Sequence, residues 1–389
     1  MEKELINNIK KNMVEEQLFQ IIRYFLKNEP VTDTVDWSRL WILAKKHSLG
    51  QFVSLYMKQL PEEQRPDKEL QNVISNSFAV LIAQQVNQKN AIKNIHLILE
   101  TNECYHLFMK GSVTRNRYGS PYWRTMGDID FLYQEAQHRI VKKSLLENGI
   151  SEYREGRKND TYYQKPYVCV EAHRQMVPSE SSFFPYCSNV WERAHVSNGS
   201  KYLYEMSIED ELIFNIIHLS IHFLEGGAGI RFILDVYVYN NLKINTKYVE
   251  QELLKLDLLD FYHNISALSE YWFGDGEKTE ITEKLATFIL ENGTFGTRES
   301  SSALSVREGR WKFLKKMCFP SYQEMVSLYP WLKNKKLFLP LAWLIRGFGV
   351  LKHKRGTLRS QFRKARLGDK NLGKDLQKLY QECGLRCNL

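Results

Sequence analysis

Cysteine is scarce and dispersed in this chain: Cys104, Cys169, Cys187, Cys318, Cys383 and Cys387 are the six present among 389 residues. They are too few and too scattered for a disulfide framework. Cys383-x3-Cys387 lacks the second ligand pair that a structural zinc site needs. An apolar signal core is also missing, because Met1-Glu2-Lys3-Glu4 runs straight into polar helix, so a reducing cytoplasm is the expected setting. No repeat or low-complexity tract occurs. The apolar stretch Leu337–Leu351 is too short and too broken, by Pro340, Arg346, Gly347 and Gly349, for a membrane span. With 43% hydrophobic and 25% charged residues, the composition excludes a disordered, collagen-like or multi-span chain. The length predicts two or three packed units.

A general excess of charge is lacking too. The net charge is +9, and from Ile345 to Leu389 twelve Lys or Arg face three Asp or Glu, which leaves 42 of each sign in residues 1–344. The neutral body offers no strong case for nucleic acid, whose channel would make the core basic.

Apolar spacing predicts helices over most of residues 1–103, with Asp36 as an N-cap before Trp37 and a long helix from about Asp67 to Glu100. The pattern then changes. Tyr105–Lys110 reads as a strand turning at Gly111-Ser112, Gly127–Tyr133 as a second strand followed by a helix over about 135–147, and Tyr162-Tyr163 and Tyr167–His173 as further strands. Helix returns at Ser207, where Ser207-x-x-Asp210 is capping-box-like. The expected organisation is an N-terminal helical region (1–103), an α/β core (104–200), a helical region completing the cleft (201–292), a linker in 293–302, and a C-terminal helical region with a basic tail (303–389).

On a strand, Asp128 and Asp130 project to one side while Ile129 and Phe131 project to the other. Two adjacent carboxylates repel each other unless a divalent cation lies between them, and Mg²⁺ suits such an oxygen site. The alternative is the solvated face of an edge strand. Glu171 emerges beside His173 on a later strand and supplies a third acid. Lys110-Gly111-Ser112 sits where a strand turns into a helix, a place that either binds phosphate or simply turns.

The order Gly111-Ser112, Asp128-x-Asp130, Glu171 resembles the DNA-polymerase-β-like nucleotidyltransferase superfamily. More closely, the chain resembles the uncharacterised nucleotidyltransferase family. Further shared features are Asp36-Trp37, Ala44-x-x-His47, Leu107-x-x-Lys110-Gly111, Arg124-x-x-Gly127-Asp128-Ile129-Asp130, Val170-Glu171-x-His173, His218-x3-His222 and Arg231-x3-Asp235, over roughly residues 15–240. The resemblance implies an α+β fold: a small polymerase-β-like mixed sheet flanked by N-terminal and C-terminal helical regions. It also implies metal-dependent nucleotidyl transfer from a nucleoside triphosphate, with ATP the default. Asp128 and Asp130 would ligate Mg²⁺ or Mn²⁺, and Glu171 would complete the site or act as general base. Gly111 and Ser112 would hold the triphosphate, and Lys110 and Arg124 would stabilise the leaving pyrophosphate. The segment between Ser112 and Asp128, with Arg115, Arg117 and Arg124, is slightly long for the superfamily and could be a phosphate-binding loop.

Glu211, Asn215, His218, His222 and Glu225 form one polar stripe on an otherwise apolar helix. His218 and His222 line the acceptor or nucleotide cleft, pair on a metal, or face solvent. Arg231 and Asp235 are expected to pair as i, i+4 neighbours. The basic run Lys352, Lys354, Arg355, Arg359, Arg363, Lys364 and Arg366 follows the apolar stretch. It reads as a solvated face, an anionic membrane contact, or a grip on nucleic acid or an acidic partner. The sequence-level expectation is a nucleotidyltransferase acting on a hydroxyl-bearing small molecule, peptide or protein. The competing class is a catalytically silent scaffold that works through its basic tail.

Overall fold

A computed structural model describes residues 2–386 except residues 33, 151, 157–158, 167, 294–295, 354–361 and 364. Tyr167, Lys354, Arg355, Arg359, Lys364, Cys387 and part of the expected linker therefore lie outside the described residues. The chain opens with helices α1 (Glu2–Lys27), α2 (Trp37–Lys46), α3 (Gly50–Gln59) and α4 (Lys68–Thr101). Asp36 caps α2 by accepting from the Arg39 N–H, and Asp67 caps α4 by accepting from that of Leu70, as short acidic side chains do at these positions.

An α+β core follows: β1 (His106–Met109), α5 (Gly111–Thr114), β2 (Ile129–Tyr133), α6 (His138–Glu147), β3 (Glu152–Arg154), β4 (Asn159–Gln164) and β5 (Val168–His173). Two short helices, α7 (Phe184–Ser188) and α8 (Val190–Arg193), precede β6 (His195–Val196) and β7 (Leu203–Glu205). The seven strands form one mixed sheet in the order β3-β4-β5-β2-β1-β7-β6. The short strands β3, β6 and β7, at most three residues each, carry too little alternation to be read from sequence.

Residues on β2 sort by face. Ile129, Phe131 and Tyr133 join Val168, Val170 and Ala172 of β5 in a core covered by Ile95 and Leu99 of α4 and Val141 and Leu145 of α6. On the other face, Leu107, Met109 and Leu132 join a larger core with the N-terminal helices and with α9 (Ile208–Leu224), α10 (Ile230–Asn240), α11 (Thr246–Lys255), α12 (Leu259–Phe273) and α13 (Glu280–Asn292). Ser207 caps α9 by accepting from the Asp210 N–H. Beyond these come α14 (Arg298–Val306), α15 (Arg310–Cys318), α16 (Tyr322–Leu328), α17 (Leu339–His353) and α18 (Lys370–Glu382). The described cysteines are free thiols. Among the described residues, no helix is long and apolar enough to cross a membrane.

Candidate active site

Strand pairing brings the acids together. β2 runs parallel to β5 with Asp130 opposite Glu171 and Leu132 opposite His173, and antiparallel to β1 with Met109 opposite Asp130. Lys110, the next residue after β1, therefore emerges at the acid cluster. It adopts φ 53°, a sparsely populated conformation for a non-glycine residue, as β1 turns sharply into α5. Gly111 occupies a place no side chain can share, because a Cβ there would lie 2.8 Å from Met126 Cβ. Ser112 is buried, and its Oγ accepts a 3.2 Å hydrogen bond from the Asp130 N–H. Ser112 thus fastens the turn to the acid-bearing strand. Asp128 lies one residue before β2 and is half-buried.

The electrostatics divide the two aspartates. Asp130 is 2% exposed and accepts from Lys110 Nζ at 2.6 Å; His173 Nε2 lies 2.8 Å from the same Oδ1. Burial alone would raise its pKa, but the ammonium and the imidazole hold it well below the usual carboxylate range. Asp128 has no such partner. Burial, then repulsion from Asp130 and Glu171, pushes it up to about 6, offset only in part by Lys110. Glu171 Oε2 lies 3.3 Å from His173 Nε2, and that hydrogen bond lowers its pKa despite burial and Asp130. Burial would lower the Lys110 pKa, but Asp130, Asp128 and Glu171 together keep it raised.

This donor set fits a divalent cation. Asp130, Glu171 and His173 each offer one ligand atom, all within 4.8 Å of one another. Asp128 adds a crowded carboxylate whose ionised form gains from positive charge. Oxygen donors suit Mg²⁺, and an added imidazole suits Mn²⁺ as well. His173, noticed in the sequence only as a neighbour of Glu171, is the residue that links the two acids. Its same-face spacing from Glu171 was the available signal.

The other expected residues sit differently. Arg124 is buried and binds Asp235 with two hydrogen bonds, Nε to Oδ1 at 2.7 Å and Nη2 to Oδ2 at 2.8 Å; Tyr118 OH donates to the same Oδ1 at 2.6 Å. Asp235 is therefore held by Arg124 and Tyr118 rather than by Arg231, which corrects the i, i+4 pairing expected within α10. Across the chain Arg124 meets the carboxylate with a two-point fork, a geometry stronger than a single helix-surface contact. Arg117 makes a similar fork to Glu211, at 2.9 and 2.6 Å, and Arg115 donates to Gln85 Oε1 at 3.3 Å. The arginines of the 113–127 segment thus have internal partners. Glu211 is buried and also accepts from Tyr239 OH at 2.8 Å, so this end of the polar stripe faces the core rather than solvent. His218 and His222 meet each other, Nε2 to Nε2 at 3.2 Å, beside Phe232.

Arg231, read from the sequence only as a partner of Asp235, lies beside Asp128 instead. Its Nη1 donates to Thr125 O at 3.4 Å, while its buried Nε has no partner. Burial, then the neighbouring Arg124, lowers its pKa to about 10. It lines a cavity of about 630 Å³ together with Asp128, Gly127, Trp41, Lys45 and Phe78. A larger cavity, about 890 Å³, lies between α13 and α18, and none of the acid-cluster residues lines it.

A mixed sheet that sets Asp130 beside Glu171 and His173, next to a Lys-Gly-Ser turn, is consistent with a nucleotidyltransferase fold. A family model described as "Uncharacterised nucleotidyltransferase" matches residues 33–274, well over half of the chain, and the chain belongs to that family. No curated protein and no solved structure gives a significant match to the chain.

Proposed function

We propose that this protein transfers a nucleoside monophosphate from a nucleoside triphosphate to a hydroxyl-bearing acceptor and releases pyrophosphate. The observation that supports the reading is the cluster of Asp130, Glu171 and His173, with Asp130 and Glu171 opposite each other in the β2–β5 register and Asp128 two residues before Asp130. In this reading residues 104–200 carry the acids, residues 201–292 complete the cleft, and the enzyme works in the cytoplasm. Asp128, Asp130 and Glu171 would hold Mg²⁺ or Mn²⁺, with His173 as a further donor. When bound, the metal would neutralise phosphate charge and favour ionisation of the acceptor hydroxyl. ATP is the first nucleotide to test.

In the transfer, the acceptor oxygen bonds to the α-phosphorus and the bond from that phosphorus to the β-bridging oxygen breaks. Pyrophosphate leaves with the electron pair, and the hydroxyl proton passes to a base. Glu171 is half-buried where Asp130 is closed off, and it is the base we assign. Lys110 is held by Asp130 and contributes positive charge from a fixed position. Arg231 and Lys45 line the cavity beside Asp128 and offer cations to the phosphate chain. Arg124 acts through Asp235 by fixing α10, which carries Arg231.

Thermal shift with each of the four NTPs, with and without Mg²⁺ or Mn²⁺, tests the reading without knowledge of the acceptor. The expected result is metal-dependent stabilisation that a folded Asp128→Asn/Asp130→Asn protein loses. Absence of any shift would favour a silent nucleotidyltransferase fold that acts as a scaffold through its basic C-terminus.

A further inference from the structure

The C-terminal region carries a chemistry that nucleotidyl transfer leaves unused. From Arg310 to Val350 there are eight Lys or Arg and a single acid, Glu324, so the basic character begins well before Ile345. The same stretch holds nine aromatic residues. Among the described residues, very little of this apolar material is buried. The satellite core comprises Met325, Leu332 and Ala342, with a few half-buried neighbours such as Trp343.

On α17 the arrangement is inverted relative to a core helix. Ala342 faces the satellite core, while Leu341, Leu344, Ile345 and Phe348, at i, i+3, i+4 and i+7, are exposed, Phe348 at 73%. That is the spacing of one continuous apolar stripe, here turned to solvent. Leu337, 93% exposed, and Phe338 extend it at the N-terminal end, and Trp311 is 85% exposed. Lys333, Lys335 and Lys336 are exposed immediately before the stripe.

We propose that this stripe and its lysines dock on the surface of an anionic phospholipid bilayer. The apolar side chains would enter the headgroup–acyl boundary while the lysines meet lipid phosphates, the pairing that holds interfacial helices. Spanning is excluded by length, since fifteen residues of helix reach about 22 Å against a hydrocarbon core of about 30 Å. A second copy of the chain is a poor occupant, because its own Lys333, Lys335 and Lys336 would face these lysines. Nucleic acid would meet the lysines but leave the apolar stripe in water.

Flotation of the full chain with vesicles tests this. The vesicles would be phosphatidylcholine alone, or phosphatidylcholine with about one third phosphatidylglycerol, at low and high salt. The expected result is flotation with the anionic vesicles at low salt and little with the neutral ones. Leu344→Asp/Phe348→Asp and Lys335→Glu/Lys336→Glu should each weaken it by roughly tenfold or more. Because the replaced side chains are exposed, melting temperatures should stay near wild type. Quenching of tryptophan fluorescence by brominated lipid provides a readout that needs no variant. Wild type remaining soluble with both vesicle types, or variants that float as well as wild type, would overturn the proposal. So would sedimentation showing a dimer that Leu344→Asp breaks while lipid binding is absent.

Discussion

Lys110 Nζ lies 2.6 Å from Asp130 Oδ1, and the two side chains are 16% and 3% exposed. The same carboxylate oxygen is 2.8 Å from His173 Nε2. A buried carboxylate thus has two nitrogen partners, whereas Asp128, two residues earlier, has carboxylates for neighbours. The site stores its electrostatic imbalance at Asp128, and that is where added positive charge would be felt most.

Asp128→Asn should raise the stability of the metal-free protein at neutral and alkaline pH. The folded-state pKa of Asp128 is raised from 3.8 to about 6, so its ionised form opposes folding. The contribution of Asp128 is therefore least unfavourable below the ordinary carboxylate range and worsens as pH rises through about 6. The variant should be more stable by about 1–3 kcal/mol at about pH 8, with the difference vanishing near pH 4. Urea denaturation over this range checks it. Added Mg²⁺ should stabilise wild type and reverse the order.

Lys110→Met should act in the opposite direction. It leaves Asp130 buried with His173 alone, and breaking such a pair costs about 3–5 kcal/mol. Asp130 has a depressed folded-state pKa, so its contribution is present above the ordinary carboxylate value and is lost as pH falls. The destabilisation should be large at neutral pH and shrink in acid. Denaturant midpoints at the two pH values provide the measurement.

Asp235→Ala should destabilise by about 3–5 kcal/mol, because it strands the buried Arg124 guanidinium and leaves Tyr118 OH without its acceptor. Removing both charges, as Asp235→Leu/Arg124→Met, should cost less than Asp235→Ala alone. A double-mutant cycle by chemical denaturation decides this.

Gly111→Ala should disturb the turn between β1 and α5. The new methyl meets Met126 Cβ, an atom close to backbone that cannot swing aside. A loss of about 1–3 kcal/mol is expected. Because the clash is with Cβ itself, which alanine keeps, Met126→Ala in the same chain should not recover the loss, as melting temperatures would report.

Local features of the fold were open to reading in advance. Asp36, Asp67 and Ser207 cap helices because a short polar side chain placed before an apolar helical period satisfies free N–H groups whatever the rest of the chain does. The Glu171-x-His173 spacing was legible for a similar reason, since strand alternation acts within a few residues, whereas Asp128, expected on the strand, falls one residue before β2. The arginines of the 113–127 segment were not. Arg124 meets Asp235 across 111 residues and Arg117 meets Glu211 across 94, and no local rule connects such pairs.

The sequence by itself determined which residue types stand on one side of each strand, where the principal helices start, and a motif order specific enough to point to the family. Tertiary structure alone decided that Asp130 and Glu171 lie side by side, that Lys110 and His173 converge on one carboxylate oxygen, and that the α17 stripe faces outward. The physical reason lies in range: side-chain alternation and capping are settled within a turn or a strand. Register between strands 41 residues apart, ion pairs between buried charges, and the face a helix buries are settled by what the rest of the chain packs against them.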